Sequence, residues 1–267
     1  MKAIENRKIL KVKTDGTPAE TVDDAIAVES QLSVVLNGTS YVTLLCTPEK
    51  LEDLVLGYLL SEGIIDKPGQ LSRIQFTQTH KCEVDVTPEP DLQKRIGEID
   101  SRNQAVFKGN RRMLSPSAES GSDLAPLMAS SDVTFPLSAL QRAIDTLNRD
   151  ASIYRKTGGV HAACIASKDG ETVCLAEDVG RYNAVDKAIG GCARRGCSFQ
   201  DKFLATTGRI TGVMILKVAR VNIPVVASIS AVISSGVEVA ERIGVTTVGF
   251  VRRGRMNIYT HPERICI

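Results

Sequence analysis

A chain of 267 residues, 43% of them hydrophobic and 24% charged, has enough apolar material for one large domain or two smaller ones. Its formal charge of +2 excludes a global pull toward nucleic acid or a membrane surface, so any electrostatic function has to be local. No apolar run reaches the ~18 residues of a membrane span, and the absence of Trp with only 4% aromatic residues argues against an extended aromatic platform for stacking bases.

Residues 1–24 are polar, are expected to include a frayed end, and lack the apolar core of a signal peptide, which points to a cytoplasmic protein. Apolar runs at 26–36 and 40–46 flank Asn37-Gly38, a hairpin signal. Thr47-Pro48-Glu49 reads as a helix start, with a capping Thr, Pro at the first helical position and an acid in the first turn. Leu51, Leu54, Val55, Tyr58 and Leu59 recur at helical spacing, and Gly63 ends the helix. Alternation at 72–77 and 82–86 predicts two strands. The segment 99–134 is rich in Ser, Asn and Gly and carries Lys108, Arg111 and Arg112. A loop of that length is usually functional or disordered.

A helix is predicted from Pro136 to about Asn148. Apolar runs at 160–166 and 172–176 surround Lys168-Asp169-Gly170, a second hairpin signal. From there helix and strand alternate: helix at 183–194, strand at 202–207, helix at 211–221, strand at 223–229, helix at 235–243 and strand at 245–251. This predicts an α/β sheet covered by helices, with ligands at the loops that follow the strands. The expected organisation is an N-terminal α+β portion over 1–134 and an α/β domain over 135–267.

The polar residues gather at those strand ends. Glu177 and Asp178 follow one strand, Thr207-Gly208-Arg209 the next, Ser228 and Ser230 the third, and Arg252, Arg253 and Arg255 the fourth. Arginine forks at such junctions suit a ligand with several phosphate oxygens. Gly180, Gly208 and Gly254 would let the backbone approach it. No Walker A sequence and no Gly-x-Gly-x-x-Gly before a helix is present, so this is no ordinary P-loop or Rossmann site. His161 is either an acid or base or a structural hydrogen-bonding group. His161 and Cys164 point to opposite faces of one strand and cannot share a metal ion. Asp186 and Lys187 are expected to pair with neighbours. The seven cysteines, without regular spacing, fit reduced thiols better than a disulfide framework. Cys82, Cys164 and Cys174 lie in apolar strand patterns, whereas Cys192, Cys197 and Cys266 lie near a helix end or the terminus.

Five blocks resemble the formate dehydrogenase accessory sulfurtransferase (FdhD) family. They are Leu56-Gly57-Tyr58-Leu59-Leu60-Ser61-Glu62-Gly63-Ile64-Ile65, then Thr157-Gly158-Gly159-Val160-His161, then residues 177–187. Thr207-Gly208-Arg209 with Lys217 is the fourth, and Phe250 through Tyr259-Thr260-His261 the fifth. The resemblance implies a cytidine-deaminase-like α/β/α domain with a smaller N-terminal α+β domain, usually dimeric. The zinc signature of true deaminases is missing, so no zinc is expected.

The resemblance also implies a role: sulfur is carried as a persulfide from a cysteine desulfurase to the molybdenum or tungsten bis-molybdopterin guanine dinucleotide of formate dehydrogenase. The family's cofactor-binding stretch maps onto Phe250-Val251-Arg252-Arg253-Gly254-Arg255. His161, Asp178, Arg181, Gly208 and Arg209 are further candidates, with Asp178 and Arg181 expected to orient a ligand or a facing loop rather than stabilise the core. The family's carrier loop, Ser-Ser-Cys-Gly-x-Cys-Gly, aligns with Ser115-Pro116-Ser117-Ala118-Glu119-Ser120-Gly121. Both cysteine positions are serine, Ser117 and Ser120, and a hydroxyl carries no persulfide. Three readings follow: a sulfur carrier using another cysteine, a cofactor-holding module without sulfur transfer, or an unrelated phosphoester-binding enzyme.

Overall fold

Asn37 and Gly38 both adopt positive φ, 47° and 79°. That pair of left-handed residues matches the right-handed twist of the strands it joins, here β3 (Ser30–Leu36) and β4 (Thr39–Cys46). Ahead of them β1 (Ile4–Lys11) and β2 (Glu20–Ala27) pair antiparallel from Ile4↔Ala27 to Lys11↔Glu20. The expected frayed end is therefore a two-stranded ribbon. Leu10 and Ile26 remain exposed on it, so the apolar alternation that marks a half-buried strand is missing.

The computed structural model describes residues 2–78, 80–87, 94, 97 and 132–267. Lys108, Arg111, Arg112, Ser117 and Ser120 lie outside the described residues. Helix α1 (Leu51–Ser61) follows β4, and β5 (Leu71–Gln78) and β6 (Lys81–Val86) complete a four-stranded sheet in the order β4-β3-β6-β5. Thr47 does not cap α1: Lys50, at a left-handed φ of 52°, is the residue before the helix.

Past residue 132 come β7 (Phe135–Pro136), α2 (Leu137–Asp150) and α3 (Ser152–Thr157). The hairpin β8 (His161–Ser167) and β9 (Thr172–Asp178) then leads into α4 (Arg181–Arg194). The alternation continues through β10 (Lys202–Thr206), α5 (Gly212–Arg220), β11 (Val225–Ser228), α6 (Ser234–Ile243), β12 (Thr246–Arg252), β13 (Arg255–Thr260) and β14 (Ile265–Cys266). Six strands form a mixed sheet in the order β13-β12-β11-β10-β8-β9, with β10, β11 and β12 parallel. The expected α/β class holds.

Alternate side chains along β8 and β10 go to opposite faces of this sheet. Ala163, Ile165 and Leu204 join a core with α1, α4, α5, α6 and the four-stranded sheet. Ala162, Cys164, Phe203 and Ala205 join a second core under α2, where Phe135 and Phe203 meet edge to face at 5.6 Å. Helices α1 and α4 cross almost backbone to backbone. A Cβ on Gly57 would lie 1.7 Å from the Asp186 carbonyl oxygen, and one on Gly190 would lie 1.9 Å from that of Asp53.

Candidate functional site

Parallel strands β10, β11 and β12 end on one edge of the sheet. Strand β8 starts and β9 ends on the same edge, because His161 pairs with Asp178 and Ala163 with Thr206. The loops at 207–211, 229–233 and 249–250 lie side by side there: Ile210 N donates to Ala231 O, and Phe250 N donates to Ser230 O. The strand ends that carry the sequence-predicted residues are thus brought to one edge, where the crevice rule for α/β sheets places ligands.

Asp178 does not face that crevice. It is fully buried, 2.6 Å from the equally buried Lys187 Nζ. Its carboxylate also accepts from Thr47 N at 3.0 Å, Gly180 N at 2.8 Å and Asn183 Nδ2 at 3.0 Å. Lys187 in turn donates to the Thr47 carbonyl at 2.8 Å, and Val179 N donates to Thr47 Oγ1 at 3.1 Å. Of the ligand or facing loop that Asp178 was expected to orient, the structure gives the loop: Asp178 is buried, not exposed, and its oxygens are consumed in fastening Thr47 to the start of α4. Thr47, misread as a helix cap, is the partner that sequence reasoning missed. Its only signal was its place beside Pro48, and that signal also fits a cap.

Asp186 is likewise buried. Lys217 Nζ reaches both of its oxygens at 3.0 Å and Glu62 at 2.7 Å, and Ser61 Oγ donates to Asp186 at 2.6 Å. Burial pushes the Asp186 carboxyl up, against the pull of Lys217. The neighbours that Asp186 and Lys187 pair with are therefore charged groups inside the protein, and the blocks around Glu62, Asp186 and Lys217 act on packing.

Arg181, His161 and Arg209 do form a group. Arg181 is half-buried, its guanidinium carbon 4.4 Å from the Tyr182 ring centroid, with Nη2 donating to Tyr182 Oη at 3.1 Å. Its Nε is buried and, among the described residues, has no acceptor. Tyr182 Oη is fixed by Thr211 at 2.8 Å, and Thr211 Oγ1 caps α5 by accepting from Met214 N. Gly208 admits Arg181 rather than open space, since a Cβ there would lie 3.0 Å from Arg181 Cβ. Burial holds His161 below the ordinary imidazole range, with Arg181 and Arg209 acting the same way and Asp178 opposing. Thr207 Oγ1 lies 3.4 Å from His161 Nδ1. Arg209 is exposed.

The hydroxyls at the strand ends serve the backbone. Thr206 Oγ1 donates to Ala162 O and accepts from Gly208 N. Ser228, fully buried, donates to Gly208 O at 2.7 Å and accepts from Ser230 N at 2.9 Å. Ser228 is thus withdrawn from any ligand-facing role. In the expected cofactor stretch, Val251 is also withdrawn, because its side chain is fully buried under α2. Its neighbours are not. β12 and β13 shift register between Gly249 and Arg252, and Phe250 sits in that bulge at φ 52° with 38% exposure. Bulges beside sites re-aim side chains in this way. Arg252, Arg253 and Arg255 are exposed around the turn, and Gly254, at φ 79°, has nothing within 4 Å of where a Cβ would stand.

Metal and thiol chemistry can be placed too. Among the described residues no group of three or more His, Cys, Asp or Glu is arranged to hold a metal ion. Burial pushes the Cys46 and Cys82 thiols up to about 11 and the Cys164 thiol up to about 12, and raises Cys174. Cys192, near the end of α4, is fully buried and pushed up to about 12. Cys197 is half-buried and Cys266 exposed. Among the described residues no helix is long and apolar enough to cross a membrane.

The model of the FdhD/NarQ family matches residues 27–266. The sulfur carrier protein FdhD of Bacillus subtilis (strain 168) is 32% identical over 251 residues, covering 91% of each chain. That of Xanthomonas euvesicatoria pv. vesicatoria (strain 85-10) is 34% identical over 255 residues, covering 94% of this chain and 89% of its own. A crystal structure from Desulfotalea psychrophila, assigned to a formate dehydrogenase accessory protein, superposes with a TM-score of 0.77 at 24% identity, covering 99% of this chain and 100% of that one. With a family match over nearly its whole length and relatives above 30% identity, the chain belongs to the FdhD/NarQ family.

Proposed function

We propose that this chain is an accessory protein of formate dehydrogenase that binds molybdenum or tungsten bis-molybdopterin guanine dinucleotide, as its cargo, at the strand-end edge. The observation that carries this reading is Arg181. A buried guanidinium nitrogen without an acceptor asks for one from outside the chain, and a pyrophosphate oxygen fits. Arg209 beside it and the exposed Arg252, Arg253 and Arg255 supply further forks for the remaining phosphate charge. Phe250 offers an aromatic face for a guanine at the same rim. His161, held neutral at pH 7, adds a hydrogen-bonding group without adding repulsion between cations.

Calorimetry with GDP, a fragment of the cargo, tests this. Charge-assisted phosphate contacts contribute about 1.5–3 kcal/mol each, so Arg253→Ala alone is expected to weaken GDP binding about tenfold or more, and the Arg252→Ala, Arg253→Ala, Arg255→Ala triple variant further. Equal affinity would remove the turn from the site.

Sulfur delivery from a cysteine desulfurase is the second reading, favoured by the relatives that are named sulfur carrier proteins. It needs a thiol, and Ser117 and Ser120 stand where the family's carrier loop has cysteines. Persulfide mapping after incubation with a desulfurase and cysteine separates the two readings. The carrier reading expects sulfur loaded on a native cysteine and turned over to the cofactor, and the cargo-holding reading expects no such turnover. A homodimer, cytoplasmic and independent of nucleic acid, completes the proposal.

A further inference from the structure

Helix α4 begins at the strand-end edge and ends at Cys-Ala-Arg-Arg-Gly-Cys, residues 192–197. Gly196 takes a left-handed φ of 68°. Gly196 N donates to Ala193 O at 2.9 Å, and Cys197 N donates to Cys192 O at 3.3 Å. These two bonds define a Schellman motif, which brings the side chains three residues inside and two residues beyond the helix end into contact. Here both of those side chains are cysteines. Cys192 is fully buried. Cys197 lines an open cavity of about 390 Å³ with Leu60, Ala193, Phe199, Arg220 and Val221. At ~1.5 Å per residue the pair lies roughly 20 Å along α4 from Arg181.

We propose that Cys197 and Cys192 form a second thiol site, an acceptor for small molecules that contain a sulfur–sulfur bond, and that it closes to an intrachain disulfide. Cys197, the one the cavity reaches, reacts first. Its thiolate attacks one sulfur of a disulfide, forming a mixed disulfide and expelling the other half as a thiolate that takes up the proton. Cys192 then attacks Cys197 Sγ, its proton passing to the departing sulfur, and the second half leaves as a thiol. Two thiols are oxidised, one disulfide is reduced, and no further oxidant is needed. With a persulfide donor, Cys197 takes the outer sulfur and releases the donor as a thiol, and closure expels hydrosulfide. The Schellman turn already brings the two side chains together, so closure to a bond of about 2.05 Å orders little extra chain. The buried Cys192 thiol, pushed up to about 12, makes it the resolving partner rather than the attacking one.

The test uses the full reduced chain and glutathione disulfide, with free thiols trapped and peptides mapped. The expected product is a Cys192–Cys197 bridge, with Cys266 carrying glutathione as the exposed control. In Cys192→Ser, or in Cys192→Ala should the serine variant fail to fold, glutathione is expected to stay on Cys197. A second arm supplies glutathione persulfide. Wild type is expected to release one equivalent of hydrosulfide per chain, while the Cys192 variant keeps the added sulfur on Cys197. Persistent glutathione on Cys197 of the wild type would overturn the proposal. So would a bridge to Cys174 instead, or an unreacted Cys197 beside a modified Cys266. Neither arm involves GDP or the turn arginines, so failure here leaves the strand-end site untouched, and the reverse.

Discussion

Removing one partner of a buried ion pair leaves the other charge without compensation. Such losses run to about 3–5 kcal/mol. Asp178→Ala is therefore expected to lower unfolding free energy by about that amount in urea titrations, because Lys187 has no solvent to turn to. A charged residue at a strand end looks exposed in the sequence, and the reading of Asp178 as a ligand contact followed from that pattern. What the pattern hides is Thr47, whose backbone and hydroxyl meet the 177–187 stretch from far away in the chain. The positions of His161, Gly208 and Arg209 beside strands were legible because the apolar runs mark where those strands lie, whereas Arg181, at the start of α4, was marked only by the family resemblance. His161 also carries a pH consequence. Its folded pKa lies below the unfolded value of about 6.5, so the unfolded chain takes up the proton first. The stability present above that value is lost as pH falls through it. An NMR titration is expected to show His161 protonating below the ordinary range, and His161→Gln to lessen the acid loss. A His161 midpoint at or above the unfolded value would contradict the buried setting.

Helices were the elements easiest to read. α1, α2 and α4 show apolar residues at helical spacing, and the structure ends them within a few residues of the expected bounds. The ribbon of β1 and β2 escaped notice because neither face is buried enough to impose a period. The contact between α1 and α4 was also invisible, since a glycine inside a helix signals only weakness until its neighbour is known. Gly57→Ala tests that contact. A methyl group 1.7 Å from the Asp186 carbonyl oxygen forces the helices apart. Overpacking of this kind costs about 1–3 kcal/mol, occasionally more. Chemical denaturation is expected to show at least that loss, and a neutral variant would mean that the crossing is looser than the coordinates place it.

One hydrophobic core runs through both ends of the chain, from Leu32 and Val84 on the four-stranded sheet to Ile165, Leu204 and Val226 on the six-stranded one. The strand-end site is built against that continuous interior. The tie between Thr47 and Asp178 spans 131 positions, and that between Thr47 and Lys187 spans 140. Such a span sets an order of events during synthesis. Ribosomes add residues from the N-terminus at about 5–20 per second, so Thr47 waits roughly seven seconds or longer for Lys187 to be made. Through that interval the first sheet has no partner for the apolar face of α1. The edge that is proposed to hold the cargo is completed only after α4 has emerged and closed over Thr47. A chain stalled before residue 187 carries Thr47 and the first sheet and cannot assemble the edge.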